Sequence, residues 1–210
     1  FYQDINANPV IFNIVAEIND IIHKCQERIR LLKNLWQDDK YKKLWDQKSK
    51  SQIDKMSDKN YSTQQIESIM ARFKHLIQEF EQQPPIKMAD YVIVDYSKVI
   101  NSFITQAKDW LDRHGIVLRA MGERDLNQIK AEIEAYRVKL EENPSKRETL
   151  KELLNVIAEI KNLTMNMEFR IADVQEKFRI LKNYNQKVEP TVMEEAMGLD
   201  ERWKELVLEA

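Results

Sequence analysis

The sequence predicts an all-α fold, an elongated antiparallel helical bundle of three to four long helices with short connecting helices, and three observations carry that expectation. Only 3 glycines and 5 prolines interrupt 210 residues, and these are the residue types that break helices. Charged side chains make up 32% of the chain, with both signs interspersed as on solvated helix faces. Apolar residues recur at alternating short steps over long stretches, the period of a helix that buries one face.

The first helix is expected to start at Asn8-Pro9, with Asn8 as cap and Pro9 at the first helical position, where its missing N–H matters least. Ile11, Ile14, Ile18, Ile21, Cys25, Ile29, Leu32 and Trp36 then share one face. The pattern blurs through Tyr41, Leu44, Trp45, Ile53 and Met56 and gives way at SDKN, residues 57–60, so this helix is expected to run past 40 residues. Ser62 and Gln65 form a capping box, with Tyr61 and Ile66 as its hydrophobic staple. The second helix buries Ile66, Ile69, Phe73, Leu76 and Phe80 and stops at Pro84-Pro85.

ADYVIVDY, residues 89–96, resembles a buried strand ending on an acid. With no glycine-rich partner loop and no second strand-like segment beside it, it reads instead as the lead-in to a third helix capped by Asp95. That helix carries Ile100, Phe103, Ala107, Trp110, Val117, Met121, Ile129, Ile133, Tyr136 and Leu140. Gly115 and Gly122 interrupt it at about 1 kcal/mol each, so one long helix is expected, kinked near MGER, residues 121–124.

The fourth helix has the clearest signal. After Pro144, with Ser145 and Glu148 as a second capping box, Leu150, Leu153, Ile157, Ile160, Thr164, Met167, Ile171, Val174, Phe178, Leu181, Asn185 and Val188 alternate strictly by three and four, a heptad-type seam. Asn185 is the expected left-handed cap, and a last helix starts near Asp200. The short link around Asn143-Pro144 makes helices three and four antiparallel, with helix one closing the bundle as a third face. Residues 1–187 are thus expected to form the bundle, and 188–210 a connector and the start of the next helix.

No catalytic, cofactor or metal site is expected. Gly115, Gly122 and Gly198 fit no GxxxxGK loop, and His23, Cys25, His75 and His114 lack ligand spacing. A net charge of −2 gives no general pull toward nucleic acid or an anionic membrane. A single cysteine and no long apolar run point to a reducing cytosolic compartment, in which the sequons at Asn60 and Asn162 have no role. The start at Phe1 and the helical-looking end LVLEA suggest an excerpt of a longer polypeptide. The one basic island, residues 40–59, makes Lys40, Lys42, Lys43, Lys48 and Lys50 candidate partner contacts. Trp45 joins them, because its register fits the core least well and aromatics favour interface centres.

The ordered series LWQDDKYKKLWDQKSKSQID, RFKHLIQEFEQQP, VDYSKVINSFITQAKDWL, FRILKNYN and LDERWKEL resembles the tail of dynein heavy chains, most of all the axonemal members, over nearly the whole chain. Asparagine at 185 stands where glycine is usual and tolerates the same left-handed turn. The resemblance implies a non-catalytic stem segment, ahead of the linker and the ATPase ring. Such stems transmit force and connect heavy chains to intermediate and light chains, to one another, and to cargo or the doublet microtubule, in the cytoplasm, the cytoskeleton and the ciliary axoneme. The alternative is a spectrin-like or membrane-associated cytoskeletal rod, which differs in its partners.

Overall fold

The computed structural model describes residues 8–36, 39–53, 61–89, 91–141 and 147–210, apart from the side chains of residues 35–36, 39–40, 89 and 147–149. The elements are α1 (Pro9–Trp36), α2 (Asp39–Lys42), a 3-10 turn (Lys43–Trp45), α3 (Gln47–Ile53), α4 (Thr63–Glu81), β1 (Ile86–Ala89), β2 (Val92–Asp95), α5 (Ser97–Glu141), α6 (Arg147–Asn183), α7 (Pro190–Met197) and α8 (Leu199–Glu209). The fold is all-α with one small hairpin. It divides into two compact units, 1–48 with 75–110 and 49–74 with 111–210.

Helix starts follow local polar chemistry. Asn8 Oδ1 accepts a 2.9 Å bond from Val10 N–H, Asp46 Oδ1 a 3.0 Å bond from Lys48 N–H, and Asp95 Oδ1 a 2.8 Å bond from Ser97 N–H. Each side chain reaches two residues ahead to a helix donor that has no partner within the helix. Hydrogen bonds from the Ser97 hydroxyl and then its N–H hold the Asp95 carboxyl below its ordinary range. The capping box at Ser62 is complete: Ser62 N–H donates to Gln65 Oε1 at 3.0 Å and Gln65 N–H to Ser62 Oγ at 3.2 Å. The second expected box, at Ser145 and Glu148, lies outside the described residues.

In the first unit, Phe80 stacks on Phe103 with ring centroids 4.8 Å apart, and Cys25, Leu44, Ile77, Tyr96, Ile100, Ala107 and Trp110 are buried as well. Three expectations are corrected here. The first helix ends at Trp36 and is followed by two short helices and a 3-10 turn, not one run past 40 residues. Its expected core face is largely uncovered, with Ile14 and Ile18 each 50% exposed and, among its described side chains, only Cys25 buried, so an apolar period alone did not imply a covering partner. ADYVIVDY does contain a strand, and its partner is IKMA: β1 and β2 pair antiparallel with Met88 opposite Ile93 and Ile86 opposite Asp95. Lys87 and Met88 hid that partner by lacking strand-type branching.

In the second unit, α5 and α6 run antiparallel. Lys177 Nζ meets Asp125 at 2.7 Å, Arg170 meets Glu132 at 2.6 and 2.8 Å, and the Tyr136 hydroxyl donates to Glu159 at 3.0 Å, so one number rises as the other falls. The third face comes from α4, not helix one: Thr63 Oγ1 donates to Asp173 at 2.7 Å and Lys74 Nζ to the Asn183 carbonyl at 3.4 Å, which sets α4 parallel to α6. Gly122 leaves α5 helical throughout. A Cβ there would stand 3.2 Å from Phe178 Cε2, so the bare backbone is a notch for that ring. The seam of α6 is buried at Ile160, Met167, Ile171, Val174, Phe178 and Leu181, whereas Leu150 is 49% exposed. The C-terminal stretch holds α7 as well as the expected last helix, and Leu199, Trp203 and Leu206 are fully buried with α6 in this unit.

Asn185 has φ 54°, and α6 ends in paired bonds, Gln186 N–H to the Leu181 carbonyl at 2.9 Å and Asn185 N–H to the Lys182 carbonyl at 3.1 Å. This is a Schellman cap with asparagine in the left-handed position. Asn185→Gly should therefore be neutral or slightly stabilising, and Asn185→Val should cost about 1–2 kcal/mol, read from urea denaturation midpoints.

Candidate functional site

The first unit carries an open groove of about 880 Å³ that includes the predicted contact Trp45. One wall is the last turns of α1, through Ile29 and Lys33; another is the short segment with Tyr41, Lys42 and Trp45; the floor is Val94, Asp95 and Tyr96 with Val99, Ser102 and Phe103 of α5. Trp45 stands edge-on to Phe103 at 4.7 Å and 87° yet keeps 42% of its surface exposed. Tyr41 contacts Phe103 at 5.2 Å and Phe80 at 5.4 Å. Trp110 Nε1 donates a buried 2.8 Å bond to the Leu44 carbonyl, and Leu44 is itself buried. The segment bearing Trp45 is thereby pinned to α5, so the aromatic wall is formed before anything binds.

Of the candidate lysines, Lys42, Lys43 and Lys48 are exposed on the first unit. Lys50 is only 4% exposed and belongs to the second, and the Lys40 side chain lies outside the described residues. Only Lys42 lines the groove with Trp45. Ile29 and Phe103 were read as core residues from their spacing and Val99 was not singled out; what brings them to Tyr41 and Trp45 is the folding of three separate segments, which no local spacing marks. Trp110 and Trp203 are buried, as core positions should be. The Trp36 side chain lies outside the described residues.

His114 is buried with its ring 5.8 Å from Phe73, whereas His23 and His75 are exposed. Among the described residues no group of three or more His, Cys, Asp or Glu could hold a metal ion, and no helix is long and apolar enough to cross a membrane. The main ionic contacts of the second unit bridge α5 and α6, and Asp125, Arg170 and Asp173 among them line a small cleft of about 240 Å³ with Gln128 and Ile129. The Arg170 hydrogen bond holds the Glu132 carboxyl below its ordinary range. A depressed folded-state value stabilises above the unfolded carboxyl range and is lost as pH falls through the folded value. Glu132→Gln should flatten the acid limb of stability between about pH 5 and pH 2, seen in melting curves; the pair is about one-third exposed, so the effect is small.

Residues 113–207 match the family described as dynein axonemal heavy chain 2/5/8 coiled-coil. The stretch covers the second unit's part of α5 together with α6, α7 and nearly all of α8, the helices built around the buried seam. Along most of its length the chain is also similar to curated axonemal dynein heavy chains. It is 28% identical to human dynein axonemal heavy chain 10 over 88% of this chain. It is 25% identical to the Chlamydomonas reinhardtii dynein-1-alpha heavy chain of the flagellar inner arm I1 complex over 85%, and 23% identical to human dynein axonemal heavy chain 2 over 79%. The chain spans about 4% of the length of each of these three relatives. By name these relatives are axonemal or flagellar dynein heavy chains, and the family matched over residues 113–207 is a coiled-coil one.

Proposed function

We propose that the segment is a non-catalytic stretch of the dynein stem that transmits force and scaffolds associated subunits, namely intermediate and light chains and a second heavy chain, within an arm docked on the doublet microtubule or cargo. The parent's ATPase ring then lies elsewhere in its sequence. The observation that carries this reading is the coincidence of the family match with the seam-bonded helices α5 and α6: continuous buried stripes crossed by ion pairs give stiffness and leave long outer faces for partners. Trp45, Lys42, Lys43 and Lys48 are the contacts proposed on the first unit.

The test is crosslinking mass spectrometry on intact ciliary dynein, reading the proteins joined to Lys43, Lys48 and Lys182. Links to intermediate or light chains are expected. Links confined to actin or to membrane adaptors would replace the stem reading with that of a cytoskeletal or membrane-associated rod.

A further inference from the structure

The groove beside Trp45 has a specific geometry. Two of its sides each offer a pair of residues one helical turn apart, Ile29 with Lys33 and Val99 with Phe103, and the short segment adds the two aromatics Tyr41 and Trp45. Such pairs repeat at about 5.4 Å, the interval at which a helix presents successive anchors from one face. The apolar members form the interior and the lysines stand at the rim.

Charge is polarised in the same place. Its charged lining is Lys33 and Lys42 against Asp95, and Arg28, Lys43 and Lys48 stand exposed on the same segments against Asp46, in a chain whose total charge is −2. Two carboxylates nearby are turned to helix starts, Asp46 toward Lys48 N–H and Asp95 toward Ser97 N–H. An occupant matched to this surface carries apolar residues at one-turn spacing and acidic residues along its flanks.

We propose that the groove docks an acidic amphipathic helix from a partner protein, with Trp45 as the aromatic anchor and Lys33 and Lys42 setting orientation. This rests on the scaffold reading above and deepens it by naming the partner's chemistry. Pinning of the Trp45 segment by the Trp110–Leu44 bond means that binding orders little of this chain, so affinity is retained for the contact itself.

The probe is a fluorescein-labelled synthetic helix with leucines at one-turn spacing and glutamates on both flanks, titrated by anisotropy with the 210-residue chain. Saturable binding is expected, weakened at least about tenfold by Val99→Glu and again by Lys33→Glu with Lys42→Glu, and weakened by added salt. Val99 is partly exposed, so its variant should fold; an unchanged circular dichroism spectrum checks this, and the lysine pair gives a second route. Equal binding of a scrambled peptide of the same composition would overturn the proposal in favour of charge alone. Unchanged affinity of the Val99→Glu chain would overturn it outright. A chain dimer that Val99→Glu dissociates would assign the groove to a second copy instead. A failed titration alongside crosslinks to intermediate chains sinks the groove alone, whereas absence of such links sinks the scaffold reading itself.

Discussion

Phe178→Asp is expected to unfold the second unit, at a cost of about 4 kcal/mol or more. The Phe178 side chain is 0% exposed and its ring rests on the bare backbone of Gly122, so an aspartate there is cut off from water. The control lies on the same helix: Phe169 is 69% exposed, and Phe169→Asp should change stability by no more than about 0.5 kcal/mol. Urea denaturation followed by circular dichroism separates them. Similar midpoints for the two variants would mean that the seam is not the core. Gly122→Val tests the other side of the contact, since a branched side chain has to displace the ring, at about 1–3 kcal/mol.

The second large effect is non-additive. Lys177 is 4% exposed and sits 2.7 Å from Asp125 and 2.5 Å from Asp173, and Asp173 in turn accepts from Thr63 on α4. Asp125→Ala or Asp173→Ala leaves the ammonium one carboxylate, and each alone should cost about 1 kcal/mol. Both together leave a buried cation uncompensated, and the loss should rise to about 3–5 kcal/mol. A double-mutant cycle measures the excess. Adding Lys177→Met to the double variant should recover most of it, because an apolar side chain of similar length needs no counter-charge. Strict additivity of the two alanines would show that water, not the pairing, satisfies the lysine.

Much of the second unit was legible in the sequence because its signals are local and repeat. The strict alternation from Ile160 to Leu181 is a property of α6 alone, and the structure buries those positions except the half-buried Thr164; the left-handed Asn185 and the capping box at Ser62 likewise depend on neighbours within a few residues. What stayed hidden depends on distant pairing. IKMA and VIVD are each too short to announce a strand, and only their register with one another makes one. The stripe on α1 has the right period, yet period says which residues share a face and not whether another element covers it, and Ile14, Ile18 and Ile29 are exposed. The same limit applied to the candidate site. Trp45 and Lys42 could be singled out as an aromatic and a cation with no evident place in the core, but Lys33 and Val99 join them only through the folding of α1, the short segment and α5 onto one another.

The ring of Phe178 in its glycine notch, next to the Lys177 clasp, has a mechanical corollary. For α6 to slide along α5 by one turn, about 5.4 Å, the phenyl group must leave its notch and climb over the side chains beside Gly122, and in the same movement the ammonium must leave Asp125 of α5, keeping only Asp173 of its own helix. Neither event can occur by halves. The helix pair therefore behaves like a detent: small axial loads are borne elastically, and slippage requires a discrete release.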